Sequence, residues 1–187
     1  MGKSIDVLPV ITALADEDLL YARVAAEPVG TADSAIQVGS LFGSRDNYGQ
    51  LYLDINNPVT DVPVTTTPSV ITAFDSSGPS NTLTSNTTTG TITIPAGTPT
   101  AVYSVSFSTS FDGSANTAYG VGVFYNGALS PISSFLDLTN SQTVGGCVSA
   151  SGIASLDAGV EIQLSIWVAT GTATVDFGSL MLTVVTI

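Results

Sequence analysis

Five carboxylates in the second half of the chain, Asp112, Asp137, Asp157, Glu161 and Asp176, are the residues best suited to chemistry. Two of them on neighbouring strands would supply the paired acids of a glycoside hydrolase. Their settings favour a plainer role. Asp112 stands in Phe111-Asp-Gly-Ser and Asp157 in Leu156-Asp-Ala-Gly, both turn compositions, and Glu161 opens a strand pattern on its solvent side. A serine nucleophile would lack a base, because the chain has no Gly-x-Ser-x-Gly elbow, no His, and no Lys or Arg after Arg45. The single cysteine, Cys147, excludes an internal disulfide framework and reads as a small buried hydrophobe. Asp16-Glu17-Asp18 lacks the alternate spacing and glycine of a calcium loop. Gly120-Val-Gly and Gly145-Gly146 lack a phosphate-loop Lys and a following helix, so they mark close strand packing. The expectation is therefore no enzyme, with no catalytic residue, cofactor or metal.

The charge distribution narrows the partners. The net charge is −12, and all three bases, Lys3, Arg23 and Arg45, lie in the first quarter. Nucleic-acid binding needs clustered bases to displace counterions, and anionic membranes attract the same groups, so neither is expected as a partner. The hydrophobic fraction of 44% argues for a packed core rather than disorder. No secretion signal is apparent, since Asp6, Asp16, Glu17 and Asp18 interrupt any apolar core near the start. No apolar run approaches the roughly 20 residues needed to cross a bilayer. A soluble protein made in a cytoplasm is expected.

The elements that must carry these residues read as strands. Leu19-Leu-Tyr-Ala-Arg-Val-Ala and Ser34-Ala-Ile-Gln-Val-Gly-Ser-Leu, with Glu27-Pro-Val-Gly between them, predict a small hairpin. Residues 56–69 hold three prolines and predict an extended linker. From Val70 onward, short alternating strands follow one another. In Val102-Tyr-Ser-Val-Ser-Phe, Tyr103, Val105 and Phe107 share a face with serines opposite. Asn126-Gly127 predicts a tight hairpin turn. Glu161-Ile-Gln-Leu-Ser-Ile-Trp-Val turns Ile162, Leu164, Ile166 and Val168 inward and Trp167 outward. The last strand, Leu180-Met-Leu-Thr-Val-Val-Thr-Ile, is apolar on both faces and so must be covered on both. These features predict an all-β antiparallel jelly-roll sandwich with a small N-terminal β-hairpin and a subunit interface. The interface candidates are Tyr103, Phe107, Phe124, Trp167, Leu180 and Leu182.

The order of four motifs resembles the trimeric jelly roll of the tumour necrosis factor and complement globular-head type. They are Val102-Tyr-Ser-Val-Ser-Phe, Val123-Phe-Tyr-Asn126-Gly127, Leu156-Asp-Ala-Gly159-Val-Glu-Ile-Gln-Leu164 and Phe177-Gly178-Ser-Leu180. The family's Asp after the third motif's glycine is Val160 here, and the last motif's spacing is shifted. The first 45 residues resemble the amino-terminal segment of tailed-phage head-fibre and capsid-decoration proteins. The matching pieces are Leu8-Pro9, then Asp16-Glu-Asp18-Leu19-Leu-Tyr-Ala-Arg23, then Ile36-Gln-Val-Gly-Ser-Leu41. That resemblance implies a segment docked on the major capsid protein, with Lys3, Ile5, Leu8, Leu19, Tyr21, Arg23, Ile36 and Arg45 as contact candidates.

The sequence thus predicts a capsid-docking segment (1–55), a Pro/Thr-rich linker (56–69) and a jelly-roll trimerisation domain (70–187). Together they imply a structural virion protein that cements a phage capsid from its outer surface as a homotrimer. The alternative is a receptor- or carbohydrate-binding fibre tip. It would use the loop from Ser110 to Thr117 and the nearby rings of Phe111, Tyr119 and Tyr125.

Overall fold

The structure, a computed structural model, describes residues 19–23, 33–37, 47–54, 56–138 and 145–187. The chain divides into two compact units, residues 1–45 and 46–187. In the first unit, β1 (Leu19–Arg23) and β2 (Asp33–Gln37) form the expected hairpin, pairing antiparallel with Leu19 opposite Gln37 and Arg23 opposite Asp33. Leu19, Tyr21 and Arg23 take one set of alternate positions, whereas Ile36 is registered with Leu20 in the other. Lys3, Ile5, Leu8 and Arg45 lie outside the described residues.

The second unit begins with β3 (Tyr48–Leu53), β4 (Val59–Thr65), β5 (Ser69–Val70), β6 (Ser76–Ser77), β7 (Thr84–Asn86) and β8 (Thr91–Thr93). It continues with β9 (Ala101–Gly113), β10 (Thr117–Tyr125), β11 (Ala128–Leu138), β12 (Gly146–Leu156), β13 (Glu161–Val168) and β14 (Thr172–Thr186). No helix occurs among the described residues. The first sheet runs β12-β9-β14-β3-β6, with β4 also paired to β14, and the second runs β11-β10-β13-β8-β7, with β5 paired to β13. Every pairing is antiparallel. This is the jelly-roll sandwich the alternation predicted.

The core forms between the sheets from the apolar half of each alternation. Tyr103, Val105, Phe107 and Phe111 of β9 and Leu180, Leu182 and Val184 of β14 meet Tyr119, Val121 and Val123 of β10 and Ile162, Leu164 and Ile166 of β13. Each such large side chain contributes about 1.5–3 kcal/mol on leaving water. Phe111 stacks edge-on against Tyr119 (5.2 Å) and Phe177 (6.0 Å), so one aromatic cluster ties the two sheets together. The Tyr119 hydroxyl accepts the Ser114 N–H at 2.7 Å. The adjacent Gly113 leaves room for that ring, since a Cβ there would lie 2.6 Å from the hydroxyl. Asn126 and Gly127 have φ of 50° and 78°, the paired positive values of a type I′ turn, and they close the β10–β11 hairpin.

Two sequence boundaries move. Residues 56–69 are not a linker: β4 lies within them and pairs with β14, Pro63 standing opposite Thr174. Pro63 is tolerated because β4 pairs only with β14 among the described residues, so a missing N–H on its other side goes unnoticed, while Pro58 and Pro68 lie outside the strand. Tyr48–Leu53, assigned by sequence to the docking segment, is β3 of the first sheet, registered against Leu180–Val185. The sandwich therefore starts at the point where the bases end, Arg45 and Asp46.

Candidate functional site

The structure brings two of the five carboxylates together. Asp112 and Asp176 are direct cross-strand partners on β9 and β14, and Asp176 accepts the Asp61 N–H at 2.7 Å. They line a shallow cleft of about 520 Å³ with Thr60, Ser110 and Cys147, whose thiol is exposed and not buried as its apolar sequence context predicted, because register places it on the outward side of β12 opposite Ser110. Both acids are exposed. The rings expected to serve a sugar there are unavailable: Phe111 is 2% and Tyr119 0% exposed, because β9 and β10 turn them into the core. Tyr125 is half-buried, and that burial raises the pKa of its phenol. Asp157 accepts the Thr100 hydroxyl, as a turn acid does. The Asn57 side-chain amide and the Asp54 N–H, each at 3.0 Å, hold the Asp75 carboxyl below its ordinary value. Asp137 and Glu161 stand on the second sheet, away from that cleft.

The interface candidates divide between core and surface. Tyr103, Phe107, Leu180 and Leu182 are consumed in the core of the sandwich and cannot face another subunit. The alternation that made them conspicuous points them inward, towards the second sheet. Phe124 and Trp167 lie on the outer face of the second sheet, nearly covered by neighbouring side chains. Phe135, which the sequence reading passed over, stacks edge-on against Trp167 at 5.7 Å.

The surface that stands out is the outer face of the first sheet. Register stacks its outward residues in rows across four strands. The first row is Ser179, Ser110 and Cys147; the second is Tyr52, Met181, Ser108 and Ser149. The third is Gln50, Thr183, Ser106 and Ser151, and the fourth is Tyr48, Val185, Ser104 and Ile153. None of these rows carries a charge, although the face ends beyond Ser110 and Ser179 in the exposed pair Asp112 and Asp176, and the unit from Asp46 to Ile187 holds nine carboxylates and no base. Short serines keep the middle low, while Tyr48, Tyr52, Met181, Val102 and Ile153 are exposed apolar side chains around it. On the β3 side a depression of about 300 Å³ opens among Tyr48, Gln50, Pro79, Thr183 and Val185. At the opposite edge, on β12, Ile153 stands out with 69% exposure.

Comparison with known proteins bears on the fold. No protein-family model matches the chain, and no curated protein matches it. Among solved structures it is similar to Eiger TNF from S. frugiperda, with a TM-score of 0.51 at 11% identity, over 76% of this chain and 92% of that one. It is similar to murine APRIL with a TM-score of 0.50 at 11% identity, over 76% of this chain and all (100%) of that one. The globular domain of zebrafish complement 1qA aligns at 16% identity over 70% of this chain and 94% of that one, with a TM-score of 0.44. In fold, residues 46–187 are a jelly roll of the tumour necrosis factor type.

Proposed function

We propose that this chain is a non-enzymatic structural protein that decorates and cements the outside of a tailed-phage capsid. In this reading residues 46–187 associate as a homotrimer and residues 1–45 dock on the major capsid protein. The four uncharged rows on the outer face of the first sheet are the observation that carries the self-association. Two copies of so acidic a unit repel one another wherever carboxylates meet, and these rows hold none, the nearest on the face being Asp112 and Asp176 at its end. Depletion of charge is also what distinguishes the middle of protein interfaces. The projecting Ile153 and the depression beside Tyr48 lie on opposite sides of the face. A head-to-tail contact that seats one in the other and closes on itself makes a ring.

The docking half rests on the division at Arg45, since the only bases lie in the unit that would meet an acidic shell. A trimer that presents three linked anchors gains avidity without new contacts and stabilises only the assembled shell. Sedimentation equilibrium tests the first half. The expected mass is three times 19.0 kDa, and Ser106→Asp, which sets like charges in the face, is expected to give folded monomers. A wild-type monomer would refute the trimer. Co-sedimentation with capsids of the encoding phage tests the second half: the full chain should decorate them, residues 46–187 should not, and equal decoration by both removes the anchor.

A further inference from the structure

The outer face of the second sheet is built differently from that of the first. Register sets Phe135 on β11 and Trp167 on β13 to either side of Gly120 on β10. Their rings meet edge to face at 5.7 Å with planes at 89°. Glycine is required between them, because a Cβ at Gly120 would lie 2.1 Å from the indole. The indole is 9% exposed and forms the base, whereas Phe135 stands 66% exposed above it. The next outward position on β11 is Asp137, paired with Ala118, about 7 Å along the strand from Phe135. It is exposed, and only the small Ala118 and Gly120 flank it and the rings on β10. No Lys, Arg or His exists from Asp46 to Ile187, so this unit has no cation of its own to answer either the carboxylate or the ring face.

We propose that Phe135, Trp167 and Asp137 form a docking site for a cationic segment of a partner protein. An arginine or lysine side chain lies over Phe135 and sets its charge against Asp137. A guanidinium suits this pairing, since it stacks on a ring while its N–H groups fork onto a carboxylate. Charge complementarity selects this occupant. A second copy of the sandwich would bring nine carboxylates and no base, and a glycan hydroxyl could hydrogen-bond Asp137 but would leave its charge unneutralised. The net negative unit also draws a basic segment in from a distance. The site is independent of the self-association face, which lies on the other sheet.

Trp167 is the chain's one tryptophan, so its emission reads this site alone. The experiment titrates the full-length protein with an octa-arginine peptide at moderate salt, alongside octa-glutamate and maltohexaose. The expected result is a saturable change in Trp167 emission with octa-arginine only. Phe135→Ala should weaken binding about two- to fivefold, and Phe135→Tyr, which keeps a ring, should hold it. Asp137→Asn should weaken it by about the same factor. Asp112→Asn removes one charge from the other sheet and should leave the Kd within about twofold. Equal weakening by Asp112→Asn and Asp137→Asn would mean diffuse attraction and overturn the site. So would an unchanged Trp167 emission, or a response to maltohexaose in place of octa-arginine.

Discussion

Replacing Gly120 by alanine tests the packing of the second sheet at its most exact point. The added Cβ would lie 2.1, 2.2 and 2.5 Å from three atoms of the Trp167 ring, whereas ordinary contact begins at 3.4 Å. A fused ring cannot yield by a rotation of its tip, so the whole indole must swing off β10. A tryptophan buries about 150–250 Å², and re-exposing half of that at about 25 cal/mol per Å² costs about 2–3 kcal/mol. The lost edge-to-face contact with Phe135 adds about 0.5–1 kcal/mol. Alanine recovers about 0.5–1 kcal/mol through the stiffer unfolded chain. The net loss is about 2–3 kcal/mol, which moves a urea midpoint by about 1 M. Trp167 emission should shift to the red in the same variant under native conditions. A midpoint within about 0.2 M of wild type, with unshifted emission, would show that Trp167 does not lie across Gly120 and that the register of β10 against β13 is wrong.

Other substitutions probe separate parts. Tyr119→Phe removes the acceptor for the Ser114 N–H and should cost about 1 kcal/mol in urea unfolding without altering the circular dichroism. Gly127→Val forces a branched side chain into φ 78° and should cost about 1–2 kcal/mol, measured as a lower Tm. Asp75 has its folded pKa depressed below 3.8, chiefly by Asn57 and then by the Asp54 N–H. Its contribution is therefore present above pH 3.8 and lost as pH falls through the depressed folded value. Asp75→Asn should flatten that part of the acid limb in a Tm-against-pH series.

Period-two alternation in β9, β10, β13 and β14 made the sandwich legible in the sequence, and Asn126-Gly127 placed one hairpin to the residue. Alternation tells which residues share a face, but it does not say what lies beyond that face. Tyr103 and Phe107 were conspicuous as aromatics, and the core is where the sheet turned them. The surface opposite them is made of serines, which read as solvent-facing until register lines up four rows without a charge. Prolines at 58, 63 and 68 looked like a linker because sequence does not mark which strand lies at an edge. Phe135 was missed because Ser133-Ser-Phe-Leu-Asp has no clean period, and β11 carries a register irregularity against β10. The ring acquires meaning only through its cross-strand neighbour, Gly120, and the tryptophan beyond it.

The point at which the two units divide has a consequence for proteolysis. Proteases of tryptic specificity cut after Lys or Arg, and the only such residues are Lys3, Arg23 and Arg45. Trypsin can therefore trim the first unit, but it finds no bond to cut from Asp46 to Ile187. For most proteins resistance to digestion depends on remaining folded. Here it is written into the covalent chain, and even a heat-denatured sandwich would survive such an enzyme intact and be free to refold.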